Sequence, residues 1–210
     1  MNKYKVIGTM SGTSLDGVDI AFCHFENKEQ SWNFKIIKAQ TVYYNTQWKQ
    51  RLENLSKLDA LTFVKTDIDY GIYLGDIIKK FIEVEKIKPE FIASHGHTIF
   101  HRPQNQSAVT SLQLIAGSRQ SAVSNNLISA QIGNGAYIAA GCNLPVICDF
   151  RSMDIALGGQ GAPLTAIGDK LLFQEYEFCL NLGGIANISS SLLTPSPPES
   201  EKRGIGETEK

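Results

Sequence analysis

The chain has no apolar run approaching the ~20 residues that a bilayer-crossing helix needs, and it has no surplus of basic charge. Lys and Arg total 20 against 21 Asp and Glu, for a formal net charge of -1 at pH 7. Proteins whose main partner is nucleic acid usually concentrate a basic excess, so that class is disfavoured. The opening residues, MNKYKVIGTM, hold no apolar leader followed by a small-residue cleavage site. Cysteine is sparse: Cys23, Cys142, Cys148 and Cys179 are scattered, with no CxxC. All four sit in apolar segments. The expectation is buried free thiols in a reducing cytoplasm, not a disulfide framework. No GxxxxGK[ST] pattern occurs, which excludes a Walker loop, and no internal repeat is evident.

What is present is enough for a sizeable core. Of the 210 residues, 42% are hydrophobic, the amount expected of a domain or slightly more. Residues 3–10 and 18–25 are β-rich and flank a polar, glycine-bearing turn, which predicts a hairpin. Residues 34–44 add a third strand, giving an antiparallel three-stranded start. A weakly amphipathic helix is predicted over 45–58. A second stretch with helical spacing covers 59–86, with a break expected near Gly71 and a stop at Pro89. A buried strand over 91–94 leads into His95-Gly96-His97. A small-residue helix over 133–141, a strand over 144–150, a glycine turn over 158–163 and a hairpin over 178–189 follow. Three antiparallel strands followed by alternating helices and strands predict an α/β domain of the ribonuclease H type. Residues 114–130 have no clear period. The last twenty residues hold three of the seven prolines and seven charged side chains, and they read as a disordered tail.

Four groups could carry chemistry. The first is GTMSGTSLDGVD at 8–19. Its glycines let phosphate oxygens approach backbone N–H groups, its hydroxyls add donors, and Asp16 and Asp19 could hold Mg²⁺. An ordinary small-residue hairpin turn would have the same composition. The second is Asp149-Phe150-Arg151-Ser152-Met153-Asp154, just before the 158–163 turn. Charges at the C-terminal end of a strand stand where α/β sheets bind ligands, and an Asp there can accept a proton. An Arg151 ion pair with Asp149 or Asp154 that merely ties down a loop explains the pattern equally well. The third is His95, His97 and His101. Its spacing fits neither HExxH nor a zinc finger, so zinc is the minor reading. Polar substrate contact, or a structural loop in which the histidines hydrogen-bond to backbone, is favoured. The fourth is Asn181-Leu182-Gly183-Gly184-Ile185-Ala186-Asn187, either a second phosphate hairpin or a plain Gly-Gly turn.

Taken together, the runs GTMSGTSLDGVD, SHGHTIFHRP, QIGNGAYIAAGCNLPVICDFRSMDIALGGQGAPL and NLGGIANIS resemble the anhydro-N-acetylmuramic acid kinase family, over roughly residues 3–113 and 131–189. The family lies in the hexokinase–Hsp70–actin superfamily, so the resemblance implies an actin-like ATPase domain. It also implies ATP-dependent phosphorylation of 1,6-anhydro-N-acetylmuramic acid at O6, with water opening the anhydro ring, in cell-wall recycling. On this resemblance Gly12, Thr13, Ser14, Leu15, Asp16, Gly17, Val18 and Asp19 form the ATP-phosphate turn, and Gly183 and Gly184 form the second phosphate hairpin. Asp154 is the base that activates water. His97, Thr98 and Arg151 lie near the sugar, and Mg²⁺ accompanies ATP. Family members commonly dimerise, which brings a homodimer into the expectation.

Members of this family are longer, because a second domain follows the NLGGIANIS hairpin. Residues 1–190 are therefore expected to be the N-terminal domain, with 114–130 as an insertion and 191–210 as a tail foreign to the family. A chain without the second domain is expected to be weakly active or inactive, or to serve as a nucleotide- or sugar-binding module.

Overall fold

The computed structural model describes residues 2–29, 31–102, 128–182 and 186–190. Strands β1 (Asn2–Ser11), β2 (Gly17–Lys28) and β3 (Ser31–Tyr43) run antiparallel, with Met10 opposite Asp19 at the mouth of the first turn. Between the third strand and the next lie α1 (Thr46–Asn54), a 3₁₀ turn (Leu55–Lys57) and α2 (Ala60–Glu85). Both helices start where the sequence supplies a cap: Asn45 accepts from the Trp48 N–H, and Asp59 from the Thr62 N–H. Strand β4 (Phe91–Arg102) then lies parallel to β1, and β5 (Ile128–Ile132) returns antiparallel along the far half of β4. Helix α3 (Gly135–Cys142) leads to β6 (Val146–Ile147), which runs parallel to the near half of β4. The order is β3-β2-β1-β4-β5, with β6 beside β4. Short helices α4 (Ser152–Ala156) and α5 (Ala166–Leu172) and a separate hairpin, β7 (Phe178–Asn181) with β8 (Asn187–Ser190), complete the described chain. This is the α/β, ribonuclease H-like order expected of an actin-like ATPase domain.

The core fills one face of the sheet. Ile7, Val18, Ile20 and Ile92 meet Tyr70, Leu74, Ile78 and Phe81, which recur along one side of α2. Each fully buried side chain of this size contributes about 1.5–3 kcal/mol of transfer free energy.

Four expectations need correction. Helix α2 runs unbroken through Gly71, because that glycine serves packing. A Cβ there would sit 2.7 Å from the Asn134 carbonyl oxygen. The strand after Pro89 does not stop at Ser94 but continues through all three histidines, because β5 supplies it with a partner from His97 onward. The strand expected over 144–150 shortens to two residues. None of the four cysteines is buried: Cys148 is exposed and the other three are half-exposed, all of them free. Of the unassigned stretch 114–130, residues 128–130 belong to β5, and the rest lies outside the described residues, as does 191–210.

Candidate active site

Strands β1 and β6 run parallel to the first half of β4, so their C-terminal ends share one edge of this parallel part with His95–His97, midway along β4. The turn at 12–16, the His95–His97 segment and the Asp149–Asp154 segment all gather there.

The turn is held at both ends by Tyr44. Its N–H donates to the Asp16 carbonyl at 3.0 Å, and its phenol donates to Ser11 Oγ at 2.6 Å. Within the turn Leu15 takes a left-handed conformation (φ 56°), and its side chain packs against the core. Thr13 and Ser14 are exposed. Ser14 Oγ donates to Asp16 Oδ1 at 2.7 Å, and the Gly17 N–H donates to the same oxygen at 3.0 Å. These bonds, Ser14 foremost, hold the Asp16 carboxyl below the usual carboxylate range. Asp19 lies on β2 and accepts from Thr41. Val18 is fully buried in the core, so its side chain is turned away from any ligand in the turn. An exposed turn rich in hydroxyls and ending in a carboxylate fits phosphate with a cation. Asp16 and Asp19 have separate partners, and among the described residues no group of three metal-ligating side chains converges.

His97 is buried (4% exposed) beneath α2. Its Nδ1 lies 2.8 Å from Ser11 Oγ, and its ring meets Tyr70 edge-on. Tyr70 and Tyr44 share a hydrogen bond between their hydroxyls. Burial, with a smaller contribution from His95, pushes the His97 pKa down to about 4. His95 points elsewhere: its Nε2 accepts from Arg151 Nε at 3.2 Å and is also met by Arg151 Nη2 at 2.9 Å. Burial first, and then the Arg151 charge, lowers the His95 pKa. His101 lies 3.4 Å from Ser129 Oγ. The three histidines thus have three different sets of partners, which is not the arrangement of a zinc site. Thr98 Oγ1 accepts from Gln131 Nε2 at 3.4 Å.

Arg151 Nη1 donates to the Gly161 carbonyl, and the Gly161 N–H donates to Asp154 Oδ2 at 2.7 Å. Asp154 itself is exposed. A Cβ on Gly159 would fall 2.3 Å from that carboxylate, so the glycine turn wraps closely round the aspartate. Beside this arrangement opens a cavity of about 690 Å³, lined in part by Asp67, His95, Gln131, Asn134, Asp149 and Ser152. Asp67 and Gln131 are not singled out by the sequence, whereas His95 is one of the three histidines that suggest polar substrate contact. Only its place on β5 could have pointed to Gln131. Gly183 and Gly184 lie outside the described residues.

A family model for anhydro-N-acetylmuramic acid kinase matches this chain at residues 4–121 and 113–201. This chain belongs to the anhydro-N-acetylmuramic acid kinase family. The two matched segments overlap at 113–121, within the stretch that breaks the sequence pattern, and the second runs on to residue 201. Among relatives, the anhydro-N-acetylmuramic acid kinase of Sulfurimonas denitrificans is 34% identical over 193 residues, 87% of this chain and 46% of that protein. The one from Francisella tularensis subsp. novicida is 34% identical over 198 residues, 89% and 48%. The one from Bacillus cereus (strain G9842) is 29% identical over 205 residues, 93% and 49%. The chain spans about half the length of the curated relatives it matches. In family terms the shared sheet edge brings the 12–17 turn and Asp154 to one side of the domain. No described helix is long and apolar enough to cross a membrane.

Proposed function

We propose that this chain provides one wall of the cleft of an ATP-dependent kinase, one that converts 1,6-anhydro-N-acetylmuramic acid to its ring-opened 6-phosphate in the cytoplasm. The observation that carries the reading is the Gly161 N–H bond to Asp154, at the same sheet edge as the 12–17 turn and beside the 690 Å³ cavity. An anhydro sugar has no free O6 until its ring bond breaks. Asp154 takes a proton from water as that water attacks the anomeric carbon, the bond from that carbon to O6 breaks, and O6 takes the γ-phosphoryl group of ATP as the bond from the γ-phosphorus to ADP breaks and ADP leaves. A positioned base of this kind contributes about 10²–10⁴-fold. Thr13, Ser14 and the turn's backbone hold the phosphates, and Asp16 and Asp19 are the residues that would hold Mg²⁺. Bound Mg²⁺ neutralises charge on the phosphates. The cavity takes the amino sugar, with Thr98 behind Gln131, one of its lining residues.

A second reading, a nucleotide- or sugar-binding module without turnover, rests on the exposed hydroxyl-rich turn, which fits phosphate whether or not chemistry follows. Calorimetry with MgATP and with the anhydro sugar, beside a coupled kinase assay, separates the two. Binding with turnover supports the kinase, and Asp154→Asn then lowers turnover by at least 100-fold. Binding without turnover supports the module. Failure to bind either compound overturns both.

A further inference from the structure

Arg151 stands between two parts of the site that the sequence does not connect. It directly precedes α4, and three of its nitrogens are engaged by the protein itself. Nε and Nη2 converge on His95 Nε2, and Nη1 meets the Gly161 carbonyl. The Gly161 peptide is thereby held on both sides, its carbonyl by Arg151 and its N–H by Asp154 Oδ2. Its φ of +68° suits glycine, and a Cβ there would lie 2.9 Å from Ile155 Cδ1.

We propose that Arg151 is a positioning residue: it anchors the Gly161 peptide to His95 in the middle of β4, and that peptide in turn sets the orientation of the Asp154 carboxylate. This rests on the reading of Asp154 as the base, and it departs from the expectation that Arg151 touches the sugar. The guanidinium is half-buried, and its donors are directed at protein acceptors. A guanidinium can only donate, so His95 Nε2 must be the bare nitrogen and Nδ1 must carry the proton. The Gly96 carbonyl, 3.2 Å from Nδ1, is placed to receive it. The arrangement fixes one tautomer of His95, and that tautomer is a signature of Arg151 in place.

The test uses the full 210-residue chain labelled with ¹⁵N. Long-range ¹H–¹⁵N spectra of the wild type are expected to show His95 protonated at Nδ1. Arg151→Met keeps the stem and removes the donors. It should release the tautomer and raise amide exchange at Gly161 about tenfold. Arg151→Lys, which still donates to one partner, should restore one of the two readouts. Asp154→Asn should shift the Gly161 amide and leave the His95 tautomer alone. Calorimetric affinity of Arg151→Met for the anhydro sugar should stay within threefold of wild type. A wild-type His95 protonated at Nε2, an unchanged Gly161 exchange rate in Arg151→Met, or a sugar affinity lowered tenfold would overturn the proposal. Should the wild type not bind the sugar, the kinase reading fails by itself, and the two spectroscopic readouts still decide the role of Arg151.

Discussion

His97 makes the stability of this domain depend on pH in a calculable way. The ring is 4% exposed, bonded to Ser11 and packed under Tyr70. It titrates near 4 in the fold against 6.5 as the ordinary value. The charged form is disfavoured in the folded state, so between these values the unfolded chain binds the proton and the folded chain does not. Stability therefore rises with pH through this window and falls on acidification. A gap of about 2.5 pH units corresponds to about 3 kcal/mol in full, and to about 2 kcal/mol already at pH 5. The nearby groups that also titrate are His95 and His101, both lowered, so some slope remains without His97. Asp16, Asp59 and Asp69 are held below 3.8 and lose their contribution only at lower pH. Tyr44 and Tyr70 are raised and stay neutral. His97→Gln keeps an amide for Ser11 and removes the titration. Urea unfolding at pH 7.5 and 5.0 should show wild type losing about 2 kcal/mol more than the variant, roughly a 1 M difference in midpoint at a slope of ~2 kcal/mol/M. Equal losses in the two proteins would refute a buried neutral His97.

Two further outcomes follow from the turn. Tyr44→Phe leaves Ser11 and Tyr70 without their shared partner and should cost about 1–3 kcal/mol in urea unfolding. Hydrogen exchange should rise most at 12–16, where Tyr44 holds both ends; a rise spread evenly over the sheet would count against that role. Gly17→Ala would place a Cβ 2.4 Å from the Val42 carbonyl oxygen. Because the obstacle is backbone, thermal unfolding should reveal a loss of about 1–3 kcal/mol, and a neutral result would mean that β2 and β3 can separate there.

The first three strands and helix α2 were readable in the sequence because they carry local signals, whereas β5 and the full length of β4 depend on their pairing with each other. The turn residues between β1 and β2, the apolar alternation of 18–25 and the spacing of Leu74, Ile78 and Phe81 each specify an element without help from distant residues. Gly71 misled because a glycine admitting the Asn134 backbone looks, in one dimension, the same as a glycine breaking a helix. The cysteines misled for a related reason. Cys148 follows β6 at the open edge of the cavity, where apolar neighbours in sequence do not guarantee cover in space.

The histidines show most clearly where local reading runs out. On a regular strand His95 and His97 would share a face, since side chains alternate with a period of two. Here Thr9 pairs with Ser94 while Ser11 pairs with His97, so β4 holds one residue more than β1 across that interval. Gly96, at φ +70°, absorbs the extra residue as a bulge. A Cβ there would meet the Ile132 carbonyl oxygen at 2.2 Å. The bulge sends His97 under α2 toward Ser11 and sends His95 toward Arg151 and the cavity. The HxH spacing, which suggests a shared ligand, thus yields two separate tasks: one histidine joins the buried bonds behind the 12–16 turn, and the other receives the arginine that holds the Gly161 carbonyl. Replacing Gly96 should disturb both at once, because a single backbone distortion sets both directions.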